Sequence, residues 1–195
     1  VVPASSSGLE QRRTLNPHCG GPRVSAPVVV GYTATDAGAD ALALGARLAL
    51  ATRSPLEIVL VLPDESRSVI TPPDAGYGRH VREQAEEWLA AALDGFADSS
   101  SRPGADAAPD RRTHLRYGES FAEGLVDAAG ELGARMIVVG AANGGLRGRH
   151  RLGSVAGELL HSSDVPVALA PEGSRHVDPE AGLSRVTAAV GTRPG

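Results

Sequence analysis

The sequence predicts an α/β fold: an open, mostly parallel five-stranded doubly wound sheet with helices on both faces. Three observations point there. Short apolar runs alternate with longer amphipathic stretches from Pro27 to Ala170, in the order β-α-β-α-β-α-β-α-β. Runs such as Val28–Val30 and Met136–Val139 are continuously apolar, as strands buried on both faces are. The first and fourth runs each end in a glycine, Gly31 and Gly140, with a polar loop and a helix start beyond it.

Each element has its own warrant. Val28–Val30 gives the first strand. Thr35 or Asp36 can cap the helix that follows, which carries Ala41, Leu44, Leu48 and Thr52 on one face. Ile58–Leu62 is the second strand, stopped by Pro63, and residues 63–74 hold three prolines and read as a loop. Val81, Ala85, Trp88, Leu89, Ala92, Leu93 and Phe96 recur at helical spacing, with Glu83, Glu86 and Glu87 outward. Residues 99–110 are linker-like, and Thr113–Tyr117 is the third strand. Ser120 and Glu123 form a capping-box pattern before a helix that turns Ala122, Leu125, Val126 and Ala129 inward. Met136–Val139 is the fourth strand, Ser154 can cap a short helix through Leu160, and Val165–Ala170 is the fifth strand. Pro166 cannot donate to a ladder, so it marks either an edge strand or a strand's first residue.

Composition removes several function classes. The 195 residues are 42% apolar, 22% charged and 3% aromatic, so Val, Leu and Ala must build the core. A net charge of −4 makes a basic stripe for nucleic acid an unexpected main feature. All 19 cationic residues are Arg. Without Lys there is no Walker-type P-loop and no Schiff-base chemistry. Cys19 is the one cysteine, which excludes an internal disulfide framework and suits a reducing, cytoplasmic setting. No apolar run approaches the 18 residues of a membrane span, so no membrane partner is expected. The histidines show no ligand spacing, and no metal site is expected. Asp36 and Asp40, one helical turn apart, read as capping and surface groups. Gly-x-Ser-x-Gly and Gly-x-Gly-x-x-Gly are both absent, and no general base stands out, so an enzyme is not expected.

Two loops are placed to bind a ligand. In doubly wound sheets ligands sit beyond the carboxyl ends of the strands, where the strand order reverses. Gly31–Asp36 follows the first strand, and Gly140–Ser154 follows the fourth. The second loop holds Gly140, Gly144, Gly145, Gly148 and Gly153, together with Arg147, Arg149 and Arg151, and ends at a helix start. Glycine lets backbone N–H groups approach an oxyanion, and a helix N-terminus favours one. A polar surface loop without a ligand fits the same composition.

Met136–Ala170, with Gly140-Ala141-Ala142-Asn143, Gly153-Ser154-Val155 and Val165-Pro166-Val167, resembles the C-terminal signature of the universal stress protein family. Val28–Tyr32 and Tyr117–Glu123 resemble it too, so the likeness covers residues 27–171. The resemblance implies a Rossmann-like sheet, a homodimer, here through Val165–Ala170, and a stress-response role. It also implies a choice between an ATP-binding branch and a nucleotide-free branch. ATP binders carry Gly, two residues, Gly, nine residues, then Gly and Ser or Thr; Gly140, Gly153 and Ser154 match, with Asn143 in place of the second glycine. Asn tolerates left-handed backbone. Thr33 stands where ATP binders commonly have Asp, and a hydroxyl is a poor carboxylate substitute near Mg²⁺. On this likeness the nucleotide-contacting set is Tyr32, Thr33, Val61, Val139, Gly140, Asn143, Gly153, Ser154 and Val155, with ATP, with or without Mg²⁺, as the ligand. Val61 would meet adenine through its backbone.

The flanks read separately. Residues 1–26 read as a disordered leader with no signal-peptide core, and Val24 fits an alternative start. Residues 172–184 read as a linker. Residues 185–195 contain Ala189-Val190-Gly191-Thr192, which lines up with Val29-Val30-Gly31-Tyr32. They read either as the first strand of a second repeat or as an extra strand on a sheet edge.

Overall fold

The computed structural model describes residues 25–64, 75–97, 110–141 and 153–178, with Leu183 and Thr187. Residues 1–24 of the expected leader, the loop that holds Asn143 and the apolar stretch near Val190 lie outside the described residues, while Ser25, at the end of that leader, donates to Arg53 O at 2.6 Å.

Five strands and four helices alternate in chain order: β1 (Val28–Gly31), α1 (Asp36–Thr52), β2 (Leu56–Pro63), α2 (Ala75–Ala97), β3 (Arg111–Gly118), α3 (Phe121–Leu132), β4 (Met136–Gly140), α4 (Ser154–Ser162) and β5 (Val167–Ala170). The sheet order is β3-β2-β1-β4-β5, and every pairing is parallel. β5 is an edge strand, and it begins at Val167, so Val165 and Pro166, expected within it, lie just before the strand rather than in it. A parallel sheet demands a crossover helix after each strand, and each helix runs back with its N-terminus at the strands' carboxyl end.

Two apolar layers hold the helices. Val28, Val30, Leu56, Ile58, Leu60 and Val138 face α1 and α2 through Ala41, Ala49, Ala85 and Leu89. Val29, Val59, Val61, Ile137 and Val139 face α3 and α4 through Ala122, Leu125, Ala128 and Leu159. Successive strand residues thus serve opposite layers, which is why the runs are continuously apolar. Small alanines on the helices let them pack closely on a sheet of Val, Ile and Leu.

The strands differ from the sequence expectation mainly at their starts. β2 begins at Leu56, not Ile58, and takes in Glu57; β3 begins at Arg111, not Thr113. Charged residues hid the ends of both. Residues 174–176, expected within a linker, form a 3-10 turn that packs on α1.

Candidate functional site

The strand order reverses between β1 and β4. The chain leaves β1 for α1 on one face and leaves β4 for α4 on the other. A crevice opens between two such diverging connections, beyond the carboxyl ends of the two strands. Among the described residues it is bordered by the chain after Gly31, by Gly140 and Ala141, and by the first turn of α4.

The first wall is built from hydroxyls. Tyr32 N–H donates to Val59 O at 2.8 Å, continuing the sheet by one residue. The phenol is partly buried against the α1–α2 layer, and burial pushes its pKa up. Thr35 N–H donates to Thr33 O at 2.7 Å, a tight turn that brings the two threonine hydroxyls to 2.9 Å. Thr35 is the N-cap of α1, accepting from Gly38 N–H at 3.2 Å. Of the two expected caps, Thr35 is the one used. Thr33 is thus held against the cap of α1.

The second wall needs a glycine. A β-carbon on Gly140 would collide with the carbonyl of Ala37, so β4 can end under α1 only without a side chain. Val139 is buried in the α3–α4 layer, where Val155 also packs. Val61 points into that layer as well, against Gly124, where an added β-carbon would lie 2.5 Å from Val61 Cγ1. Its side chain faces α3, and its backbone lies on the part of β2 that runs past β1: β2 is in register with β1 as far as Val59 and with β3 as far as Pro63.

At α4 the expectation needs correcting. Gly153, not Ser154, is the N-cap; Ser154 is the first helical residue and is exposed. Gly153 supplies no side chain to the first turn, whereas Thr35 and Ser120 cap α1 and α3 with their hydroxyls. The first N–H groups of a helix have no partner within it, so this end offers donors to a bound acceptor. Half of the expected capping box of α3 forms: Ser120 accepts from Glu123 N–H at 3.0 Å, whereas the Glu123 carboxylate accepts from Glu119 N–H, one residue before the cap, at 2.7 Å. Ser120 also donates to Glu158 of α4 at 2.7 Å.

Tyr32, Thr33, Gly140, Gly153, Ser154 and the backbone of Val61 therefore belong to one end of the sheet, while Asn143 lies outside the described residues. These groups fit a nucleotide better than a protein-held metal. Their polar atoms are neutral hydroxyls and amides. The nearby carboxylate, Asp36, is ion-paired with Arg175 at 3.0 Å. Among the described residues, no three His, Cys, Asp or Glu side chains gather as a metal site.

Two buried acids escaped the sequence reading. Asp40, expected at the surface, is 1% exposed. It accepts from Gly173 N–H at 3.1 Å, Arg175 N–H at 2.8 Å and Arg175 Nη1 at 2.9 Å. Burial pushes its pKa up, but the two amides and the Arg175 charge outweigh that and hold the carboxyl below its ordinary value. Glu57, also buried, meets His114 Nε2 at 2.7 Å on the neighbouring strand. It sits near the opposite end of the strands from the crevice and braces β2 against β3.

The fold is that of the doubly wound α/β proteins, in which a ligand site, where there is one, lies at the topological switch point. Residues 26–171 match the universal stress protein family, and the chain belongs to that family. Universal stress protein Rv2319c from Mycobacterium tuberculosis and universal stress protein Mb2346c from Mycobacterium bovis are each 36% identical to it over 148 residues. That alignment covers 74% of this chain and 48% of each relative, so the chain spans about half the length of the curated relatives it matches. Among solved structures, a universal stress protein from Archaeoglobus fulgidus in complex with dAMP shares the fold at 23% identity. Its TM-score is 0.55, covering 75% of this chain and 98% of that one. A universal stress protein in complex with cAMP aligns at 20% identity and a TM-score of 0.56, over 75% and 98% of the two chains.

Proposed function

We propose that this protein is a non-enzymatic stress-response regulator that binds an adenine nucleotide, ATP, in the crevice between the loops after β1 and β4. The observation that carries the reading is the first turn of α4. It opens on Gly153, has no side-chain cap, and follows the switch-point strand at the motif spacing Gly140…Gly153-Ser154. The amides of that turn would take phosphate oxygens, and the backbone of β2 beyond Val59 would meet the base. Relatives in complex with dAMP and cAMP support an adenine ligand. Thr33 supplies a hydroxyl rather than a carboxylate, so any Mg²⁺ would be held by the phosphates rather than by Thr33. Binding biases the conformation of the two loops and hence the choice of partner, with no turnover.

The protein acts in the cytoplasm as a homodimer through the Val165–Ala170 edge. No helix among the described residues is long and apolar enough to cross a membrane.

Calorimetry with ATP, ADP and adenosine tests the reading. Affinity should fall in that order. Absence of ATP binding at millimolar concentration would replace it with the second reading, a nucleotide-free dimeric interaction module, which the missing carboxylate at Thr33 and the edge position of β5 favour.

A further inference from the structure

The chain does not simply leave the domain after β5. Pro171 O accepts from Ser174 Oγ at 2.7 Å, and Gly173 takes a left-handed φ of 87°, so the chain turns back onto α1. There Asp40 collects the amides of Gly173 and Arg175 and one guanidinium nitrogen. The same guanidinium reaches one turn further along α1, with Nη2 on Asp36 Oδ2 at 3.0 Å and Nη1 on Asp36 O at 3.4 Å. Asp36 directly follows Thr35, the cap whose hydroxyl touches Thr33, and the next residue, Ala37, abuts Gly140. A continuous run of contacts thus joins the segment after β5 to both walls of the crevice.

A buried carboxylate is costly unless it is fully bonded, and among the described residues its donors all come from one short segment more than 130 residues away. We propose that Asp40 and Arg175 are positioning residues: they latch the 171–178 segment to α1 and set the geometry of the nucleotide crevice from outside it. This rests on the nucleotide reading above and adds a route of regulation to it. Whatever follows Asp178, in this chain or in a partner bound there, can tighten or release the first turn of α1 by acting on the latch. Coupling of this kind is reciprocal, so nucleotide must also tighten the latch.

The experiment uses the full chain, with wild type, Arg175→Gln and Arg175→Lys compared by hydrogen exchange and by calorimetry with ATP. Arg175→Gln removes the ionic contacts to Asp36 and Asp40 and leaves its own backbone amide in place. Without nucleotide, it should speed exchange at residues 171–178 and also at 36–40. It should weaken ATP about tenfold, with Lys recovering part of the loss. In wild type, ATP should slow exchange at 171–178. Faster exchange at 171–178 with unchanged exchange at 36–40 would show a merely local turn and overturn the proposal. So would unchanged ATP affinity in Arg175→Gln beside measurable binding in wild type. If wild type binds no ATP, the nucleotide reading itself falls and the coupling with it, an outcome distinct from the other two.

Discussion

Gly140, the last residue of β4, lies directly beneath the carbonyl of Ala37 in the first turn of α1, with no room between them for a β-carbon. The first glycine of the nucleotide motif therefore has a packing duty of its own. It lets the helix after β1 close over the end of β4, which sets the width of the crevice.

Replacing it should show both roles. Gly140→Ala forces a methyl group against backbone, which cannot rotate aside. We expect a loss of about 1–3 kcal/mol in stability, measured as a fall in the urea midpoint with an unchanged slope. ATP affinity should fall as well. A variant of wild-type stability would mean that α1 is free to lift from β4.

The phosphate end is tested at Gly153. Gly153→Asp puts a carboxylate at the N-cap of α4, where Asp is a favourable cap. The helix should hold or gain stability by a few tenths of a kcal/mol, while the same carboxylate occupies the amides that ATP requires and repels it. The expected result is weaker ATP binding without a lower melting temperature. Retained affinity would place the phosphates elsewhere.

Much of this could be read in the sequence, and the exceptions share a cause. Val28–Val30 and Met136–Val139 were legible because central parallel strands are apolar on both faces. Pro166 left the edge position of β5 open, because a residue without an N–H fits an edge strand and a strand start equally, and it lies just before Val167. Glu57 hid the start of β2. A buried acid in an apolar run shortens the apparent strand, and its partner His114 is on a different strand, out of reach of any local pattern. Asp40 was misread for the same reason, since its three donors arrive from Gly173 and Arg175. At the candidate site, the family resemblance singled out Gly140 and Gly153, which the fold brings to one end of the sheet, but spacing could not say that Gly153 rather than Ser154 would be the cap.

Thr33→Asp tests the first wall. The new carboxylate can accept from the Thr35 hydroxyl, now 2.9 Å from Thr33 Oγ1, so the cap of α1 survives. With Mg²⁺ present, ATP affinity should rise, because an oxygen anion suits that cation. With the metal chelated it should fall, from repulsion between carboxylate and phosphate. Equal affinities in the two conditions would mean that residue 33 does not face the phosphates.

The β5 edge should carry the dimer. Its strand is short and parallel to β4, and among the described residues no strand pairs with its other side. Val167→Lys places a charge on that strand and should move the protein from dimer to monomer in light scattering at micromolar concentration. Val167 also packs partly on the α3–α4 layer, so a melting curve must show that the variant is folded. A monomeric wild type would end the idea.

The Asp40 latch predicts a specific acid dependence. Its carboxyl has a lower pKa in the folded chain than its ordinary 3.8, so the folded state holds the ionised form more tightly than the unfolded state does. Its contribution is then complete above about pH 4, where both states are ionised, and drains away as pH falls through the lower folded value. Asp40→Asn keeps an oxygen for the amides but gives up the charge facing Arg175. At pH 7 this should cost about 1–3 kcal/mol, since hydrogen bonds to a charged group are stronger than neutral ones. Near pH 3 part of the wild-type advantage has gone, so the gap between the two proteins should narrow. Urea midpoints of both proteins at pH 7 and pH 3 measure it. A gap that stays constant would mean that the charge of Asp40 does not hold the 171–178 segment, and that its backbone hydrogen bonds alone suffice.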